Sequence, residues 1–226
     1  RPSASGRTAG PGPPGREGEE MRPERLLRIK AFRRALELAA GERADECRRF
    51  PRWETEHRNF PHGSCDLASN TLAQYLMDTE GCHPCIIFMQ GNADFHEAEN
   101  STVHAHVIVL LDGEYTDLTL DQFDEYPDYI PAEPVESDGQ LGKLLRNIMK
   151  HEGPVKTRQV DLDGGDTLYA WLRDTAEETL AADPDWQAWE QSIEEAREAA
   201  FKAFPFLSDM QKTECEQGPD SQEAAR

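Results

Sequence analysis

Positive charge is scarce in this chain: 24 lysines and arginines stand against 44 aspartates and glutamates, a formal net charge of -20. A surface of that sign repels phosphate backbones and anionic bilayers at neutral pH, so neither nucleic acid nor membrane is expected as a partner. Long apolar runs are missing too. No stretch approaches the ~20 residues a membrane-spanning helix needs, mean hydropathy is -0.75, and no charged-then-apolar leader is read at the start. The five cysteines are odd in number and irregularly spaced in a chain too large to need disulfide staples, which points to a reducing cytoplasm. A second CxxC to match "GCHPC" (Cys82, His83, Cys85) is also absent, and a structural zinc site needs four ligands. Only His104 and His106 could complete one, so neither metal nor cofactor is expected.

A chain of 226 residues is long enough to bury one moderate core. Residues 1–20, rich in Gly, Pro, Ser and Arg and without periodicity, are expected to be a disordered extension, with Met21 the native start. Residues 21–207 then form a single domain with flanking helices, and residues 208–226 a loose tail. From Pro23, Leu26, Ile29, Phe32 or Arg33, Leu36 and Ala40 fall at three- and four-residue steps and mark an amphipathic helix that breaks at Gly41. Its basic face is expected to be solvated. A second helix is expected from Ser64 or Cys65 to Thr79, stopped by Gly81. "CIIFMQG" (Cys85 to Gly91) is a buried strand, and "NADFHEAENST" a polar connection. "VHAHVIVLLDGEYTDLTL" is a hairpin turning at Asp112-Gly113, with His104, His106, Ile108 and Leu110 on one face. A Pro- and acid-rich loop, a short helix at "LGKLLRNIMKH", a strand over Val155 to Leu162 and two further helices complete the reading.

The chemistry gathers at Cys65. A thiol becomes a useful nucleophile near neutral pH only beside a helix N-terminus or an imidazolium, and Cys65 begins a helix. The imidazole in turn needs a carboxylate or amide to fix its tautomer. His104 opens one strand of the hairpin and Asp117 lies on the other, where they can stand side by side.

These residues, "GSCDLASNTLAQYLMDTEG", an aliphatic strand and "HAHVIVLLDGEYTDLTLDQF", together resemble the papain-like, transglutaminase-like cysteine-enzyme superfamily. The resemblance covers roughly Asn59 to Phe123 and follows the order Cys, His, Asp. It implies an α+β fold in which the Cys helix packs on an antiparallel sheet of at least three strands. It also implies Cys65 as nucleophile, His104 as general base and acid, and Asp117 as the orienting residue. Transglutaminase-like sequences commonly read His-Ala-Trp where this chain reads His-Ala-His, which makes His106 the alternative base. The arylamine acetyltransferase pattern Arg-Gly-Gly-x-Cys is replaced by "PHGSC". For the oxyanion, the Cys65 N–H is one donor. The papain-like position six residues before the nucleophile falls on Asn59, and His62 is a second candidate.

The expected activity is cysteine-dependent hydrolysis of, or acyl transfer from, an amide or thioester in a protein, peptide or small molecule, with a peptidase or amidase ahead of a transglutaminase or acyltransferase. The rival is a binding module that keeps the fold with an inactive cysteine and meets a partner protein through its terminal helices. An enzyme requires the histidine within hydrogen-bond reach of both Cys65 and Asp117; a binding module requires neither contact.

Overall fold

A computed structural model describes residues 22–204; the extension expected over residues 1–20, the start at Met21 and the tail over residues 208–226 lie outside the described residues. One antiparallel sheet runs in the order β4-β3-β2-β1-β5. Its strands are β1 Cys85–Gln90, β2 Ala105–Leu111, β3 Glu114–Asp117, β4 Ile130–Pro134 and β5 Val155–Arg158. The helices are α1 Pro23–Ala40, α2 Ala44–Cys47, α3 Cys65–Glu80, α4 Ala93–Glu99, α5 Gln140–Lys150, α6 Asp166–Ala181 and α7 Pro184–Ala203. The chain is therefore α+β. Among the described residues no helix is long and apolar enough to cross a membrane.

Both faces of the sheet are covered, which is why β2 reads as a continuous apolar run instead of an alternating one. Val107, Val109 and Leu111 pack with Phe32 and Leu36 of α1, Leu72 and Leu76 of α3, and Leu172 of α6. Ile108, of opposite parity, joins Ile87 and Met89 against Leu141, Leu144 and Ile148 of α5. The hairpin turns through Asp112 and Gly113, whose φ angles of 51° and 85° are both positive. That two-residue geometry matches the strand twist, and it pairs Leu111 with Glu114, Leu110 with Tyr115 and Val109 with Thr116.

Several expectations are corrected here. The connection after Gly91 contains α4, because the Asn92 side chain accepts the Phe95 N–H at 2.9 Å and Phe95 is buried. The Pro- and acid-rich loop contains β4, where the buried Glu133 accepts the Leu141 and Gly142 N–H groups at 3.0 and 2.7 Å and so caps α5. The last strand stops at Arg158, short of Leu162. The basic face of α1 is not simply solvated: Arg25 and Arg33 are buried. Arg25 pairs with Glu80 and Asp112 of distant segments, and Arg33 with Asp121 of a distant segment and with Glu37 one turn along α1.

Candidate active site

Cys65 is the first residue of α3 and is half-buried. The preceding Ser64 spends its hydroxyl on the Glu56 carbonyl and no side chain caps the helix. The ladder begins with Ala68 N–H donating to the Ser64 carbonyl at 2.8 Å, so the N–H groups of Cys65, Asp66 and Leu67 have no intrahelical acceptor. They concentrate the positive end of the helix dipole on the sulfur. The helix start is fixed from two sides. Ser69, one turn along on the face of Cys65, donates to the Val107 carbonyl at 2.9 Å, directly beside His106. Asp66 is bonded by Arg158, which closes the start of α3 onto β5.

His106 is fully buried in β2 and Asp117 is buried at the end of β3. His106 Nε2 is hydrogen-bonded to Asp117 Oδ2, while Asp117 Oδ1 accepts the Thr119 N–H at 2.8 Å and its hydroxyl at 3.1 Å. Cys65 is the other side chain that acts on the same imidazole. Burial alone would pull the imidazole down, but the charge and hydrogen bond of Asp117, then those of Cys65, outweigh it and raise it from 6.5 to about 10. The Phe123 ring closes edge-on over the imidazole at 5.1 Å. A protonated imidazole can then be held in the interior beside the Asp117 carboxylate, the placement a cysteine–histidine pair requires.

The histidine expected beside Asp117 is corrected from His104 to the alternative, His106, which together with Asp117 and Cys65 forms the cluster, while His104 is left out. His104 precedes β2, is exposed, and its ring meets His96 at 4.5 Å. The reason is register: continuing the β2–β3 pairing puts Asp117 opposite Ile108, making His106 its diagonal neighbour, with His104 a further two residues away along the strand. Asn59 and His62 are likewise not brought in. Both are exposed in the turn before Ser64, and no hydrogen bond among the described residues joins either side chain to Cys65 or His106. Cys82 and Cys85 are free thiols, and among the described residues no group of three His, Cys, Asp or Glu could hold a metal ion.

Two residues at the site were not read from the sequence. Gln122 ends a 3-10 turn, Leu120–Gln122, and its amide touches both the loop before Cys65 and His106. Arg33 crosses from α1 to bond the Leu118 carbonyl and Asp121, and its guanidinium lies over Phe60 at 4.4 Å. It thus joins the segment after Asp117 to the loop before Cys65. The signal for Gln122 was its place five residues after Asp117 on a short turn; for Arg33, an arginine within the apolar stripe of α1.

No protein-family model matches the chain, and no solved structure matches it. The chain is similar to the uncharacterized protein YuaU of Escherichia coli strain K12, 39% identical over 126 residues, which are 55% of this chain and 54% of that protein. YuaU of strain UTI89 is similar to the same extent. The chain spans about half the length of these curated relatives.

Proposed function

We propose that this protein is a cysteine-dependent acyl-transfer enzyme of the papain-like, transglutaminase-like kind, acting in the cytoplasm on an amide or thioester of a protein, peptide or small molecule. The observation that carries the reading is the buried His106 bonded to Asp117 and acted on by Cys65, with Cys65 at the uncapped start of α3. The Cys65 helix packed on an antiparallel sheet, with the Cys, His, Asp order along the chain, supports the superfamily assignment.

In this mechanism the Cys65 proton moves to Nδ1 of His106, the ring nitrogen not engaged by Asp117. The thiolate attacks the carbonyl carbon, and the Cys65 N–H stabilises the oxyanion. The imidazolium returns its proton to the leaving group, giving an acyl-enzyme on sulfur and a neutral His106. Water then gives a peptidase or amidase, and an amine gives transfer; hydrolysis is the reading preferred.

Intact-protein mass spectrometry after exposure to a short peptide thioester tests this. The expected result is an acyl adduct on Cys65 that water or an added amine removes, with none on Cys65→Ala and acylation slowed ~100-fold or more in His106→Ala. Adducts spread evenly over Cys47, Cys82 and Cys85 would sink the proposal.

A further inference from the structure

We propose that Gln122 is a positioning residue of this site, one amide that ties the loop carrying the nucleophile to the base and receives Nδ1 whenever the imidazole is unprotonated there. This rests on the acyl-transfer reading of Cys65, His106 and Asp117. Gln122 Oε1 accepts the N–H of Gly63, two residues before Cys65, at 3.1 Å. Its Nε2 donates to the Thr119 carbonyl at 2.9 Å and stands 3.4 Å from His106 Nδ1. Gly63 has a φ of 71°, so the loop turns there through a left-handed residue with only the Gln122 oxygen bonded to its N–H among the described contacts.

The placement has a consequence for each protonation state. When Nδ1 carries the proton taken from Cys65, it and the Gln122 N–H are both donors and Gln122 offers that proton no acceptor. When the imidazolium has passed that proton to the leaving group, Nδ1 is a bare lone pair inside the protein, and the Gln122 N–H can satisfy it and keep the ring from turning. The proton moves from sulfur to nitrogen to leaving group, and Gln122 neither gains nor loses one. The titratable groups acting on His106 are Cys65 of α3 and Asp117 of β3, with Tyr126 beyond Asp117.

The test is the rate of Cys65 alkylation by iodoacetamide against pH, read by peptide mass spectrometry, in the full chain and in two variants. Gln122→Met keeps the bulk but removes the bonds to Gly63 and Thr119 and the contact with Nδ1; freeing the loop from the base is expected to lower the rate about tenfold at neutral pH, the worth of about one hydrogen bond. Gln122→Glu keeps an acceptor for Gly63 but sets a carboxylate oxygen beside Nδ1, where it competes with the sulfur for the proton. Its alkylation onset should move up by about one to two pH units, toward an ordinary thiol. A merely structural Gln122 would lower the melting temperature of both variants without moving the onset in Gln122→Glu. If the parent alkylates at low pH and both variants follow it, this inference fails and the acyl-transfer reading stands. If the parent shows no low-pH alkylation, the acyl-transfer reading fails and takes this inference with it. Should Gln122→Met not fold, the onset in Gln122→Glu decides alone.

Discussion

Asp117→Asn isolates what the buried pair contributes. The asparagine oxygen can still accept the Thr119 N–H and hydroxyl that Asp117 Oδ1 accepts at 2.8 and 3.1 Å. Its NH2, however, meets His106 Nε2. The ring then turns to the tautomer that carries its proton on Nδ1, which cannot accept the thiol proton. The stability effect follows from linkage. An imidazole raised from 6.5 to about 10, at ~1.4 kcal/mol per pH unit, contributes at most about 5 kcal/mol. Because the folded value lies above the unfolded one, that contribution is fully present below pH 6.5 and is lost as pH rises through 10. Asp117 supplies the larger part of the raising influence and Cys65 the rest. The variant should therefore lose about 3 kcal/mol at neutral pH. It should also lack most of the decline that the parent shows toward pH 10. Urea unfolding of parent and variant at neutral and alkaline pH measures both quantities. A variant within ~1 kcal/mol of the parent, declining equally with pH, would refute the argument.

Two further perturbations probe the frame around the site. In Gly91→Ala the new Cβ would lie 2.5 Å from the Val103 carbonyl oxygen and 2.7 Å from the Phe95 ring, costing about 1–3 kcal/mol; a melting temperature within one or two degrees of the parent's, where ~2–4 °C per kcal/mol is expected, would contradict that close approach. His57 is pushed down to about 4 by burial, which outweighs its bond to the Leu36 carbonyl. It stays neutral in the fold while the unfolded chain takes up a proton below pH 6.5, so stability falls as pH drops from 6.5 to 4, by about 3 kcal/mol. His57→Gln retains a donor for Leu36 and should lose less over that range in parallel urea titrations; equal losses would remove His57 as the cause.

How much of this was legible in the sequence depended on how local the cause was. The Cys65 helix and its stop at Gly81 rest on periodicity and one left-handed glycine, and the hairpin on Asp112-Gly113; each is written within a few residues. The elements that were missed depend on partners elsewhere. Chain β4 as a segment reads as loop until it pairs with β3 and turns Glu133 toward the start of α5. The histidine that meets Asp117 was within reach. A two-residue turn sets the register, and counting back from it puts His106, not His104, diagonal to Asp117. A family pattern of spacing favoured the first histidine, and strand geometry favours the second. Arg33 and Gln122 could not be assigned before their partners were placed, since each acts through contacts with two distant segments.

The most direct test of a Cys65–His106–Asp117 nucleophilic site is the pH dependence of iodoacetamide labelling at each cysteine in the parent, His106→Ala and His104→Ala. Cys65 should label fast well below the ordinary thiol range near ~8.5, lose that advantage in His106→Ala and keep it in His104→Ala. Labelling of Cys65 no faster than that of the other cysteines, or a loss in His104→Ala with none in His106→Ala, would contradict the account.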